Sequence, residues 1–424
     1  MRNASLNPYD PDQSCASGIG TWDVWFAVID GLGSLPGNHL GALVNLLPVP
    51  SETDVFVIGG GPAGLAAALA ARQSGFDVMV ADGARPLINK ACAEGLMPDG
   101  IAALRGIGVE LGPEHGAPFR GIRFLDDELE AEASFPKNQN FGLGVRRTLL
   151  HRVLMERAED AGVITRWQSR VEGLDPSGVK VDGRTVRCRW IIGADGFHSR
   201  VRRWTGLLPV WNGTRRIGFR QHFRVRPWTD FVEVYWHNHC QAYVTPVGEN
   251  EVCVAMIASA REVRLSDLPT LFPKLAKRLC GAEPTDSPRG AITMSVKLPA
   301  VIRGRVALVG DASGSVDAIT GEGLALAFRQ ARFLATSLTA DDLRTYDTVH
   351  RQIGRRPWLM ARLLLLMDGN DGLRRGALRT LAACPRIFGS LLAFHVGALW
   401  PHIVDDQPPG RSAGQRHHGG ATAR

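Results

Sequence analysis

Between Val55 and Asp82 the chain reads VFVIGGGPAGLAAALAARQSGFDVMVAD, a run that leaves its local fold little freedom. An apolar strand, Val55 to Ile58, meets a turn in which Gly59, Gly61 and Gly64 keep GxGxxG spacing. Pro62 and Ala63 open an alanine-rich helix, and a second apolar strand ends on an acid, Asp82. Gly59 suits the tight turn, Gly61 lets backbone N–H groups approach a pyrophosphate, and Gly64 lets helix and strand pack closely. Asp82 stands where an acid takes ribose hydroxyls. The run predicts a dinucleotide-binding βαβ unit. Gly31, Gly33 and Gly37 form a similar glycine-rich stretch, but no strand–helix unit follows it.

A chain of 424 residues, 45% apolar and 21% charged, is close to globular averages, which argues against disorder and against an integral membrane protein. Much of its +7 formal charge falls between Arg351 and Arg386, among leucines and without an aromatic stacking platform. No nucleic-acid partner is expected, and a C-terminal cap open to peripheral membrane contact is. The cysteines Cys15, Cys92, Cys188, Cys240, Cys253, Cys280 and Cys384 are scattered and never form CxxC, which fits a reducing cytoplasm. Asp23, Asp30 and His39 interrupt every apolar stretch before Pro50, so no signal peptide is expected.

Further along, Arg147, Leu150, Leu154 and Ala158 share one helical face, and a short helix capped by Pro98 and Asp99 follows KACAEG. CRWIIGADG and RVALVGDA read as core strands, the latter leading to a helix that begins near Gly321; FVEVYWHN and EVCVAMIA alternate as antiparallel strands do. The expected fold is α/β: a three-layer, Rossmann-like nucleotide domain with a parallel sheet, interleaved with an antiparallel substrate domain and closed by a helical C-terminal cap. The expected boundaries are a poorly ordered extension over 1–51; the nucleotide domain over 52–100, 140–205 and 296–345; the substrate domain over 101–139 and 206–295; the cap over 346–404; and a disordered tail over 405–424.

Three motifs in order, GxGxxG at Gly59, ADGFHSRVR from Ala194 and GDASGSVDAITGEG from Gly310, resemble the FAD-dependent oxidoreductases that include single-component aromatic hydroxylases and geranylgeranyl reductases. The resemblance covers residues 52 to 345. It implies FAD, with Asp195 and Gly196 near the pyrophosphate and affecting NAD(P)H use, and Gly310 and Asp311 at the ribityl chain. Arg147 matches the arginine that opens the family's RxxLxxxL helix and reaches the flavin, with Arg146 as its neighbour. On physical grounds Gly321 and Gly323 keep side chains away from a flat ring, and the helix they begin turns its positive end toward it. There is one complete GxGxxG unit, so NAD(P)H is expected as a transient reductant, and the missing CxxC argues against a disulfide reductase.

DAITGEG looks more like the reductase branch, and CAEG at Cys92 resembles the prenyl reductases' Cys-Gly motif with Ala93 in place of glycine. Where those reductases carry YxWxFP, this chain has Gln241, Tyr243, Thr245 and Pro246, the last three expected to line a more polar substrate wall. The favoured expectation is a monooxygenase acting on a hydrophobic or aromatic small molecule through a flavin C4a-hydroperoxide. The alternatives are a reductase of isoprenoid double bonds, with Cys92 as candidate acid, and a flavin-binding redox sensor without turnover. HNHC, with His237, His239 and Cys240, has no partner set at metal-ligand spacing, so no metal is expected.

Overall fold

The computed structural model describes residues 50–398 except 138, 140 and 260–262. The expected tail, and all but the last two residues of the expected extension, lie outside the described residues. In chain order the elements used below begin with β1 (Glu52–Ile58), α1 (Pro62–Gln73), β2 (Val78–Asp82), α2 (Pro98–Arg105), β3 (Gly121–Leu125), β4 (Glu130–Ser134), α3 (Arg147–Asp160), β5 (Ile164–Trp167) and β6 (Arg184–Gly193). They continue with β7 (Arg216–Arg224), β8 (Val232–His237), β9 (Cys240–Gly248), β10 (Glu251–Ala258), β11 (Val306–Leu308), α4 (Gly323–Thr339), α5 (Leu343–Asp368), α6 (Asp371–Ala383) and α7 (Pro385–His395).

The first sheet runs β11, β6, β1, β2, β5, with every one of these pairings parallel. Parallel strands are covered on both faces, which is why Val55, Phe56 and Val57 are fully buried. Helix α1 is apolar all round because it lies against this sheet and against α3 and α4. The glycine turn follows β1, the Asp195 loop follows β6 and the Asp311 turn follows β11, so the three motifs leave neighbouring strands at the same end of the sheet. Ligands bind there in open α/β sheets.

The second sheet runs β7, β10, β9, β8, β3, β4, antiparallel except where β8 pairs with β3. Its strands alternate between two buried faces. One carries Ala242, Val244, Val254 and Met256 against Phe272 and Leu275; the other carries Trp236, Tyr243 and Ile257 against Phe388 and Leu392 of α7.

Two expected boundaries fall inside helices and are corrected by packing. Helix α2 crosses the boundary after residue 100, yet Ile101, Ala103 and Leu104 belong to the nucleotide core. Helix α5 crosses the boundary after 345: Leu343 and Tyr346 sit in the nucleotide core, and Met367 lies in the core beneath the cap. One helix therefore clamps two domains. Asp99 does not cap α2, whose N-cap is Met97 without a side-chain bond; its carboxylate accepts from Arg356 Nη2 at 2.8 Å.

Candidate cofactor and substrate site

At the glycine turn, a Cβ on Gly64 would lie 1.8 Å from the Gly59 carbonyl oxygen, whereas one on Gly61 would meet nothing within 4 Å. The first glycine closes helix on strand; the second leaves room above the N-terminus of α1, which carries no side-chain cap. The Asp82 carboxylate accepts from Gly60 N and from Ala84 N, both at 2.7 Å, so it is oriented beside that turn. His151 supports the turn from below, its Nε2 lying 2.9 Å from the Gly60 carbonyl. Burial lowers the His151 pKa to about 4, so the imidazole is neutral at pH 7 and its Nε2–H donates.

Pro62 and Ala63 form the first turn of α1, and a Cβ on Gly310 would stand 2.7 Å from that of Ala63, so the first and third motifs touch. The Asp195 carboxylate is taken up locally: Oδ1 accepts from Ser199 Oγ at 2.5 Å, and Oδ2 accepts from Arg200 N at 2.6 Å and Val201 N at 3.1 Å. It caps a helical turn, and Gly196, at φ +79°, carries the chain past it. Beside Gly196 stands Lys90, whose Nζ would lie 3.5 Å from a Cβ there. Asp311 is exposed but crowded by protein, and this desolvation raises its carboxyl pKa against the pull of Lys90, Arg147 and Arg202. Arg202 donates to the Phe197 carbonyl at 2.6 Å, bracing the Asp195 loop.

Gly321 is left-handed at φ +68°, and neither it nor Gly323 would press a Cβ on any neighbour. Helix α4 starts at Gly323 without a side-chain cap. Glu322, between the two glycines, turns away into the protein, where it accepts from Arg356 Nη2 at 3.1 Å.

Opposite these motifs, Cys92 and Glu94 lie in the loop before α2. Glu94 Oε1 accepts from Arg147 N at 2.9 Å, and Glu94 Oε2 meets His222 Nε2 at 2.6 Å. His222 Nδ1 lies 2.9 Å from Asp286 Oδ2, and the chain ends there, at a side chain 19% exposed. Arg220 holds the same Asp286 carboxylate and Asn89. Burial pushes the Cys92 thiol pKa up, with Arg147 drawing it back. Cys253 Sγ donates to the Cys92 carbonyl at 3.7 Å. Glu94, His222 and Cys253 bring ligand-type atoms within 4.8 Å of one another, but each is already committed to a hydrogen bond.

Tyr243 and Thr245 lie on one face of β9. The Tyr243 hydroxyl donates to the Ile319 carbonyl at 2.8 Å, so its polar tip is spent and its ring presents an apolar surface. Thr245 is fully buried beside Gly95, its hydroxyl without a hydrogen-bond partner. Pro246 turns its carbonyl against Gly144. Of the three residues expected to form a polar wall, Thr245 alone has a polar side-chain group without a hydrogen-bond partner.

Lys90, Glu94, His151, Arg202, His222 and Asp286 were not singled out in the sequence. Glu94 stands inside CAEG and could have been; His222 and Asp286, 64 residues apart, share no local signal.

Uncapped N-termini on α1 and α4, the open space at Gly61, Gly321 and Gly323, and the Arg147 Nε buried without a partner are features that a dinucleotide with a flat ring would fill. The residues present fit FAD. Fold and site together define a dinucleotide-binding oxidoreductase. The chain belongs to the family described as FAD binding domain, whose model matches residues 52–344.

Among curated relatives, it is 27% identical to the menaquinone reductase of Mycobacterium tuberculosis, over 86% of this chain and all of that one. It is 28% identical to digeranylgeranylglycerophospholipid reductase 1 of Methanopyrus kandleri, over 70% of this chain and 83% of that one. Its fold is shared with pqsL, a probable FAD-dependent monooxygenase from Pseudomonas aeruginosa, with a TM-score of 0.65 and 20% identity, covering 78% of this chain and all of that one. The chain is an FAD-dependent oxidoreductase of a family that holds both reductases and hydroxylases.

Proposed function

We propose that this enzyme saturates a carbon–carbon double bond in an isoprenoid-bearing lipid, with NAD(P)H as transient reductant. The observation that carries the reading is the buried Glu94–His222–Asp286 line behind the Cys92 loop. Saturation adds a hydride to one carbon and a proton to the other, and this line holds a proton between Glu94 Oε2 and His222 Nε2. Bound FAD supplies the hydride chemistry.

Asp82 and the α1 N-terminus would hold the nucleotide end, with Lys90 and Gly196 beside the phosphates. Gly310 and Asp311 would hold the ribityl chain, and Gly321, Gly323 and the α4 N-terminus would face the ring. Cys92, kept as a thiol by its raised pKa and accepting from Glu94 N at 3.4 Å, would give the proton to substrate, with the Glu94–His222–Asp286 line beside it leading toward solvent. The apolar ring of Tyr243 suits a hydrocarbon chain. The names of the Mycobacterium and Methanopyrus relatives support a lipid-like substrate.

Hydroxylation, the sequence expectation, is the second reading, favoured by the unpartnered Thr245 hydroxyl, which suits a polar ring. The two separate cleanly when the enzyme is incubated with NADPH, a prenylated quinone and isotopically labelled oxygen gas. A product whose prenyl chain, located by fragmentation after reoxidation of the ring, has gained two hydrogens and no label supports the reductase; a product carrying one labelled oxygen, or hydrogens on the quinone ring alone, overturns it.

A further inference from the structure

Among the described residues, the large apolar side chains left exposed are not scattered. Apart from Ile164, they lie on the cap helices α5 to α7 or on the segment from Leu208 to Trp211. The two groups meet, because the Trp211 ring packs on the Trp358 ring of α5 with centroids 5.1 Å apart.

The second half of helix α5 departs from the usual pattern of a surface helix by exposing leucines. Its outward stripe, one position per turn, reads Arg351, Arg355, Leu359, Arg362 or Leu363, and Leu366, and the three leucines are 42% to 58% exposed. Its inward face buries Arg356, Met360 and Met367. Leu373 on α6 and Ile387 and Leu391 on α7 are exposed in the same manner.

The charge around this apolar surface is of one sign. The three cap helices contain Asp347, Asp368 and Asp371 as their only acids, and all are engaged: Asp347 by Val301 N and Arg351, Asp368 by Gln241, Asp371 by Arg374 and Arg375. Arg355, Arg362, Arg379 and Arg386 are exposed and have no carboxylate partner among the described residues. No single described helix is long and apolar enough to cross a membrane, and the apolar pair α6 and α7 bends by 106° between its halves.

We infer that this face docks on an anionic lipid surface. Leu359, Leu363, Leu366 and Trp211 enter the headgroup boundary, and the unpaired arginines meet lipid phosphates. A second copy of the chain could cover the leucines, but it would bring a matching set of arginines against this one. The inference stands apart from the reductase reading, since a surface that binds lipid says nothing of the bond reduced.

Flotation of the full-length holoprotein with phosphatidylglycerol–phosphatidylcholine vesicles, against phosphatidylcholine alone, tests it. Selective recovery on the anionic vesicles, weakened by added salt, is expected. Arg355→Glu with Arg362→Glu, and separately Leu359→Ser with Leu363→Ser, are each expected to weaken recovery by about tenfold. Flavin bleaching by NADPH in solution should stay unchanged in both variants, which separates loss of docking from loss of fold. Equal recovery on both lipids, or recovery indifferent to the leucine variant, overturns the inference. So does a concentration-dependent dimer that the leucine variant dissolves while vesicles are ignored.

Discussion

Glu94 Oε2 and His222 Nε2 lie 2.6 Å apart although 128 residues separate them in the chain. Both are buried, and each leans on the other domain: Glu94 sits in the loop entering α2, and His222 on β7 of the antiparallel sheet. A hydrogen bond between a carboxylate and an imidazole out of water is stronger than the same bond at the surface, and costly to break from one side. It joins the loop entering α2 to the antiparallel sheet.

If this pair holds the proton for the second half of the reaction, His222→Gln should slow substrate reduction by about a hundredfold. Flavin bleaching by NAD(P)H should stay close to that of the unaltered enzyme. Stopped-flow absorbance follows both halves separately; an equal loss in each would make His222 structural.

Asp311→Ala should give protein that purifies without flavin, read as the ratio of flavin to protein absorbance. Its carboxyl stands among Lys90, Arg147 and Arg202, and removing it leaves three cations and no acceptor for ribityl hydroxyls. Fully yellow protein would remove Asp311 from the cofactor site.

Two glycines of the same turn should fail in different ways. Gly64→Ala forces a Cβ to within 1.8 Å of a backbone oxygen and should cost about 3 kcal/mol in thermal or urea unfolding. Gly61→Ala meets no protein atom, so its fold should be intact while flavin affinity drops. Similar unfolding for both variants would contradict the assignment of Gly61 to the ligand.

Acid should weaken the fold through His151 and His350, both lowered to about 4 by burial. The unfolded chain takes up these protons first as pH falls below about 6.5, so stability rises with pH between 4 and 6.5 and is complete above it. Each group accounts for up to about 3 kcal/mol across that window. Urea midpoints measured through it should fall less steeply in His151→Gln, and an unchanged slope would show that His151 does not titrate with folding.

Tyr243→Phe removes the donor to the Ile319 carbonyl and should destabilise the protein by about 1–2 kcal/mol, with the aromatic surface kept. If the ring is what faces substrate, KM should hardly change, whereas Tyr243→Ala should raise it. A large KM change in Tyr243→Phe would mean that the hydroxyl itself meets substrate.

The nucleotide half of the molecule was legible in the sequence because its information is local. Glu52 to Asp82 is one strand, turn, helix and strand, and steric need at Gly64 is met by a neighbour five residues away. The alternation in β8 to β10 was legible for the same reason, since side chains on a strand point to opposite faces by its own geometry.

Only tertiary structure decided the rest. Asp99 read as a helix cap and became the partner of Arg356, 257 residues on, because burying that guanidinium demanded a carboxylate from elsewhere. Asp195 carried a family role in the sequence and is committed in the fold to Ser199 and two backbone amides. The Glu94–His222–Asp286 line comes from a loop, a strand and a second loop, none marked by spacing, and exists because two sheets close on the same space. Local periodicity determines which elements form; which side chains are buried together, and so which must satisfy one another, is determined by how those elements pack.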